Sequence, residues 1–248
     1  MNITELLVPD LKDTTAIVTG AGRGIGRSIA EALALCGSMV ILASRREEDL
    51  QAVEKAIRAS GGSALPVPTD VSDADSLRAL FERIDGEFDG RLDILVNNAG
   101  VGLYGNVVDL PVEDLDRMFA VNLRGVFLGC QEALRRMAPV GRGTIINISS
   151  VVGLKGYPRQ AGYTASKHAV IGLTKSLAVE AQAHNVRVSA ICPGGVDTDM
   201  VALARPDLDR SILLHPEDVA RTVLWMLSLP DRAAVDSIYL RRFGSAPW

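Results

Sequence analysis

Tyr163 and Lys167 stand four residues apart in this 248-residue chain, inside an apolar helical pattern. On a helix they share one face with their side chains adjacent. A phenol with a pKa near 10 is a poor base at neutral pH, but a nearby ammonium favours its phenolate and brings it into working range. Ser150 lies 13 residues before Tyr163, at the end of a β-branched run. There its hydroxyl can donate to a substrate carbonyl, with its neighbour Ser149 as the structural alternative. Asn122 falls mid-helix, where a short amide is a mediocre helix former and often bonds locally to backbone.

A second group sits near the amino terminus. "TGAGRGIG" (19–26) follows the first apolar run and places Gly20, Gly24 and Gly26 in the spacing GxxxGxG. Glycines there let backbone approach a pyrophosphate, and the helix amino end supplies free N–H groups and a favourable dipole. The spacing alone is weak evidence, and its place between strand and helix is what strengthens it. About 20 residues further on, a carboxylate would mark NAD(H) by accepting from a ribose 2′-hydroxyl. Glu47 and Glu48 have that distance, but the second strand ends near Ser44, which puts both in the next helix's first turn. Ser44-x-x-Glu47 then reads as a capping box. At the strand end stand Ser44, Arg45 and Arg46, with Arg23 in the glycine loop as a further cation. Guanidinium groups suit a 2′-phosphate in geometry and charge. The expectation is therefore NADP(H) rather than NAD(H), with Arg45 as the main contact, Arg23 second and Arg46 adjoining.

The elements that must position these residues alternate along the chain. Near-continuous apolar runs at 14–19, 38–44, 63–69, 91–97, 143–149 and 185–192, with a weaker seventh at 234–240, have the character of strands buried on both faces. Helical patterns lie between them near 24–36, 46–59, 73–86, 112–138, 160–183 and 216–229. This order predicts an α/β chain forming a single doubly wound Rossmann domain over 1–248, with about seven parallel strands and helices on both faces. The least regular connections are 98–111 and 193–215, and the stretch about 195–215 is the expected substrate lid.

Composition narrows the partners. A formal net charge of −4 and a pI near 5.5 argue against a broad basic surface for nucleic acid or anionic lipid. Three well-separated cysteines, Cys36, Cys130 and Cys192, suit a reducing compartment and small core positions better than a disulfide framework. No signal-peptide pattern or apolar run of about 18 residues is present, so a cytoplasmic protein is expected. His168, His184 and His215 are scattered, and neither a metal cluster nor a Ser-His pair is expected.

The glycine spacing, together with "NNAG" (97–100), "VNLRGVF" (121–127), "NISS" (147–150), "YTASK" (163–167) and "PGGVDTDM" (193–200), resembles the short-chain dehydrogenase/reductase family from about residue 14 to residue 200. The resemblance implies an oxidoreductase that passes a hydride between a nicotinamide dinucleotide and a carbonyl or alcohol. Tyr163 would be the general acid/base and Lys167 would lower its pKa and hold the nicotinamide ribose. Ser150 would orient the carbonyl, and Asn122 would hold a water in a proton relay. It also implies that Ile25 lies in the glycine turn, that Asp70 and Val71 contact the adenine, and that Asn98, Ala99 and Gly100 line the middle of the cofactor. Pro193, Gly194, Val196 and Thr198 would cover the nicotinamide amide. The family's NADP-preferring members often carry basic residues at the positions of Arg23 and Arg45.

Where many members end near a glycine-rich "VDGG", this chain reads "AVDSIYLRRFGSAPW". It looks more like the branch with 3-oxoacyl-carrier-protein reductases and 3-hydroxy-acid dehydrogenases. Apolar residues on the 112–138 and 160–183 helices exceed what one core stripe requires; they either only cover the sheet or, as the resemblance implies, pair in a homodimer or homotetramer. Two other functions fit part of this pattern. A catalytically idle dinucleotide-binding sensor or scaffold would need no Asn, Ser, Tyr and Lys set, and a sugar-nucleotide epimerase usually has a longer carboxyl-terminal substrate domain.

Overall fold

The apolar runs pair into one parallel sheet of seven strands in the order β3-β2-β1-β4-β5-β6-β7. The strands are β1 (Thr15–Thr19), β2 (Met39–Ser44), β3 (Ser63–Pro68), β4 (Ile94–Asn97), β5 (Gly143–Ile148), β6 (Val186–Pro193) and β7 (Ser237–Leu240). This is a computed structural model that describes residues 8–204 and 209–246. β1 and β4 are buried along their whole length, which is why they read as unbroken apolar runs. β3 carries Pro66 and Pro68; a residue with no N–H to donate is tolerated there because β3 edges the sheet.

Helices cover both faces. α1 (Gly24–Leu35), α2 (Glu47–Ala59) and α8 (Pro216–Leu227) pack on one side, where Ile29, Leu33, Leu50, Val53, Val219 and Val223 meet the sheet. α3 (Ala74–Phe88), α5 (Gly125–Val140) and α6 (Ala161–Gln182) pack on the other, with Leu77, Phe81, Ala133, Met137 and Val170 in the core. The chain reverses its direction of winding between β1 and β4. The loops after those two strands therefore face one another across a cleft at the sheet's carboxyl edge.

Two expectations are corrected. The helix expected over 112–138 is three pieces: α4 (Val112–Phe119), a π-helical turn (Ala120–Arg124) and α5. Asn122 sits inside the π turn, the kind of widened turn that recurs at functional sites. The Ser44–Glu47 capping box does not form. Ser44 stays in β2, paired with Pro68, and Arg46 takes the cap position without a side-chain cap bond. Glu47 instead accepts from Gln51 Nε2 at 3.1 Å, and the acidic first turn of Glu47, Glu48 and Asp49 suits the helix dipole.

In the expected lid, α7 (Asp199–Ala204) is followed by a 3₁₀ turn (Arg210–Ile212). Its residues 205–208 lie outside the described residues, as do 1–7 and 247–248 of the expected single domain. Among the described residues no helix is long and apolar enough to cross a membrane.

Candidate active site

The glycine loop is fastened to β4 by polar bonds and close approach. Thr19 Oγ1 accepts from the N–H groups of Asn98 and Ala99, both at 3.0 Å. Asn98 Nδ2 donates to the carbonyls of Thr19 at 2.9 Å and Gly20 at 3.3 Å. A Cβ on Gly26 would lie 2.2 Å from the Gly20 oxygen and 2.4 Å from Asn98 Nδ2, so no side chain fits. Gly20 and Gly24 have φ of +67° and +53°, which other residues reach only with strain. Around this loop opens a cleft of about 620 Å³, lined among others by Gly20, Gly24, Ile25, Asp70, Val71 and Ala99. It is large enough for a cofactor and has the backbone cradle that a pyrophosphate needs.

Its charged rim sits at the outer end. Ser44, Arg45, Arg46 and Arg23 all border the cleft. Arg23 Nη1 donates to Asp199 Oδ2 at 2.7 Å, and Arg46 pairs with Asp49 at 2.5 Å. Arg45 bears on Asp70. Burial works to raise the Asp70 carboxyl pKa, but donation from the Ser72 hydroxyl and N–H, aided by Arg45 and Arg117, lowers it overall. Asp70 is thus also an Asx-turn residue, with Ser72 N–H at 2.9 Å. Cleft residues that sequence reasoning did not single out include Gly22, Asp49, Thr69, Val101, Met200 and Arg210. Gly22 was legible, since it stands inside the glycine stretch and its Cβ would lie 2.9 Å from Asp49 Cβ. The others carry no local pattern.

At the inner end the cleft reaches the side chains expected to do chemistry. Tyr163 and Lys167 lie on the buried face of α6. Lys167 Nζ donates to the Ile148 carbonyl at 2.9 Å and lies 5.9 Å from the Tyr163 ring centre. Gly100 packs between Asn122 and Lys167, its place for a Cβ being 3.4 Å from Asn122 Oδ1 and 3.5 Å from Lys167 Nζ. The two serines separate clearly. Ser149 Oγ donates to the Lys167 carbonyl at 3.0 Å, a structural bond, whereas Ser150 Oγ accepts from the Val152 N–H at 3.3 Å and bears on the Tyr163 phenol. Asn122, fully buried, accepts from the Val101 N–H at 2.8 Å and donates to the Val101 carbonyl at 2.9 Å and to Ser166 Oγ at 3.0 Å.

The expected lowering of the phenol pKa by Lys167 is not what this geometry produces. Burial pushes the Tyr163 phenol well above its ordinary value, Tyr104 adds to that rise, and the Ser150 bond works against it. Lys167 is itself lowered to about 8, because burial disfavours its charge.

The stretch expected to cover the nicotinamide divides. Thr198 lines the cleft, while Val196 belongs to the core under α8. Gly194 N–H donates to the Leu240 carbonyl at 2.7 Å, and the Pro193 carbonyl accepts from Ser150 Oγ at 3.5 Å. Of the three cysteines, Cys130 and Cys192 are buried and Cys36 is half-buried; Cys130 joins a buried network with Asn97 and Asn147. His168 lies exposed on the Thr164 carbonyl, away from the cleft.

A doubly wound parallel sheet with a glycine-loop cleft at its switch point defines a dinucleotide-binding protein. The profile of the short chain dehydrogenase family matches residues 14–209, and the chain belongs to that family. It is 39% identical over 209 residues to a 3beta-hydroxysteroid dehydrogenase of Mediterraneibacter gnavus, covering 84% of this chain and 75% of the relative. It is 38% identical over 223 residues to a 3-oxoacyl-acyl-carrier-protein reductase of Staphylococcus aureus, covering 86% and 90%. A metagenomic short-chain oxidoreductase solved in complex with NADP superposes with a TM-score of 0.84 at 34% identity, over 96% of this chain and all of that one. The chain is accordingly an oxidoreductase of carbonyl and alcohol groups that works with a nicotinamide dinucleotide.

Proposed function

We propose that the protein is an NADP(H)-dependent ketone reductase or alcohol dehydrogenase in which Tyr163 transfers the proton, Ser150 orients the carbonyl, and Lys167 and Asn122 complete the site. The observation that carries this reading is the placement of buried Tyr163 and Lys167 on one face of α6 at the inner end of the glycine-loop cleft. When bound, the dinucleotide supplies the hydride donor or acceptor. The chain's own residues manage the proton and the orientation. With its pKa raised by burial, the Tyr163 phenol is protonated at neutral pH, the state required to give a proton to a carbonyl oxygen during reduction. Ser150 Oγ, held by the Pro193 carbonyl and by Val152 N–H, is positioned to donate to the same oxygen. Lys167 Nζ reaches the cleft beside Gly100, where ribose hydroxyls of a dinucleotide would meet it.

The preference for NADP(H) is supported by Arg45 and Arg23 at the outer rim and by the NADP bound to a structural relative. Gly20, Gly24, Ile25, Gly26, Asp70, Val71 and Asn98 to Gly100 would hold the rest of the cofactor. Three cysteines without a disulfide fit a cytoplasmic setting. Phe127 on α5 and Val179 on α6, both exposed, support a homodimer or homotetramer through these helices.

The test is kinetic. Tyr163→Phe should lower kcat for ketone reduction by about 10²- to 10⁴-fold while NADPH affinity stays within about twofold. Arg45→Asp should cut the kcat/KM preference for NADPH over NADH by about tenfold or more. Turnover surviving Tyr163→Phe, or a wild type that prefers NADH, would sink the corresponding half of the proposal.

A further inference from the structure

The far side of Tyr163 is walled by a second phenol. Tyr104 lies in the loop between β4 and α4, its ring edge-on to that of Tyr163 with centroids 5.8 Å apart and planes at 76°. This loop is pinned at both ends. Asn122 holds the N–H and the carbonyl of Val101, and Gly105 N–H donates to the Arg159 carbonyl at 3.0 Å. Between the pins the Tyr104 ring folds back over Gly102. A Cβ on Gly102 would lie 2.2 Å from the Tyr104 hydroxyl oxygen and 2.6 Å from the ring carbon that bears it, so the ring can take this place only against glycine.

The surroundings are apolar. Val101, Leu103, Val151, Val152 and Met200 form one cluster with the two tyrosines, and Met200 Sδ sits 3.9 Å from the Tyr163 hydroxyl. Among the described lid residues, Asp197 is engaged by Arg210 at 2.5 Å and Asp199 by Arg23. A carboxylate brought into this apolar cluster would lose its hydration, whereas a ring would meet aromatic and aliphatic surface.

We infer that Tyr104, seated over Gly102, is a specificity-determining residue and that the site takes an uncharged, ring-bearing ketone or the matching secondary alcohol in preference to a keto acid. This rests on the proposed role of Tyr163. Tyr104 packs edge-on against the catalytic ring, so its removal acts mainly on substrate binding.

The experiment compares NADPH-dependent reduction of 1-decalone and 2-oxohexanoate by wild type, Tyr104→Leu, Tyr104→Phe and Gly102→Ala. NADPH binding, read by fluorescence, checks that each variant is folded. Wild type should favour decalone in kcat/KM by about a hundredfold or more. Tyr104→Leu and Gly102→Ala should lower kcat/KM for decalone by about tenfold, mostly through KM, and Tyr104→Phe should stay within about threefold of wild type. A preference for the keto acid, or a Tyr104→Phe loss as large as that of Tyr104→Leu, overturns the inference and leaves the proposed reductase standing. Absence of turnover with either compound by NADPH-bound wild type overturns the reductase reading and this inference with it. If Tyr104→Leu fails to bind NADPH, the phenylalanine variant and the wild-type preference still decide.

Discussion

The two ends of the cleft are built on opposite principles. At the glycine-loop end the ionic groups are exposed, Arg23 and Asp199 each keeping about two-thirds of their side-chain surface in water (65% and 66%), and shape is set by backbone touching backbone. At the catalytic end the polar groups are withdrawn, with Asn122 fully buried, Lys167 at 4% and Tyr163 at 8% exposure. Solvent screens each charge at the first end, so a single ion pair there weighs little and a single methyl weighs much. At the second end every polar atom needs a protein partner, and each titratable group is shifted by its surroundings.

The strongest way to break this contrast is to alter shape at the exposed end. Gly26→Ala sets a carbon 2.2 Å from the Gly20 carbonyl oxygen and 2.4 Å from Asn98 Nδ2, and neither neighbour is the free end of a flexible chain. The loop must move off β4. Overpacking of this kind costs about 1–3 kcal/mol, so Tm should fall by about 2–12 °C and NADPH affinity by tenfold or more. Gly86→Ala is the control. That glycine is exposed in α3 with nothing within 4 Å, and alanine there should stabilise by about 0.5–1 kcal/mol. Calorimetry that found the two substitutions alike would mean that backbone contact does not shape this end.

A medium effect should come from charge at the buried end. The Lys167 amine is lowered from 10.5 to about 8 by burial. Between those two values the unfolded chain binds the proton that the folded chain has lost. Stability therefore rises with pH through that window, and at pH 7 the full penalty is present. Lys167→Met removes the penalty but also the bond from Nζ to the Ile148 carbonyl. The net gain at pH 7 should be about 1–2 kcal/mol, or roughly 3–6 °C in Tm, although activity is lost. At pH 10 most of the penalty is gone while the lost bond remains, so the gain should vanish and turn into a loss. Thermal melts that gave the same difference at both pH values would show that the amine is not desolvated.

The contrast also explains what could be read in advance. Alternating strands and helices were legible because strands buried on both faces must be apolar throughout, as β1 and β4 are. The glycines and the Tyr163–Lys167 pair were legible because backbone approach and helix spacing are local. Asn122 stands out in the sequence as an awkward mid-helix amide, but nothing local announces a π turn whose amide ties down Val101 21 residues away. Ser44 and Glu47 had capping-box spacing, and only the pairing of Ser44 with Pro68 decides that it stays in the sheet. Tyr104 over Gly102, Arg210 on Asp197 and Arg23 on Asp199 are tertiary pairings with no periodic signature. The last of these joins residues 176 apart in the chain.

That last pair gives the smallest expected effect and the finest test of the contrast. If Arg23 reads a 2′-phosphate, it must exchange Asp199 Oδ2, now 2.7 Å from its Nη1, for the phosphate. The carboxylate is then a competitor, and also a like charge beside the incoming anion. Asp199→Asn keeps the shape, weakens the hold on Arg23 and removes the repulsion. Because the pair is largely in water, the gain should be only about two- to fivefold in NADPH affinity. It should shrink as salt is raised from 0.05 to about 0.5 M, since screening erases both parts of the effect. NADH, which lacks the 2′-phosphate, should bind as before. Titrations in which Asp199→Asn weakens NADPH would reverse the assignment: the pair would then be a strap holding α7 over the cleft rather than a rival of the cofactor.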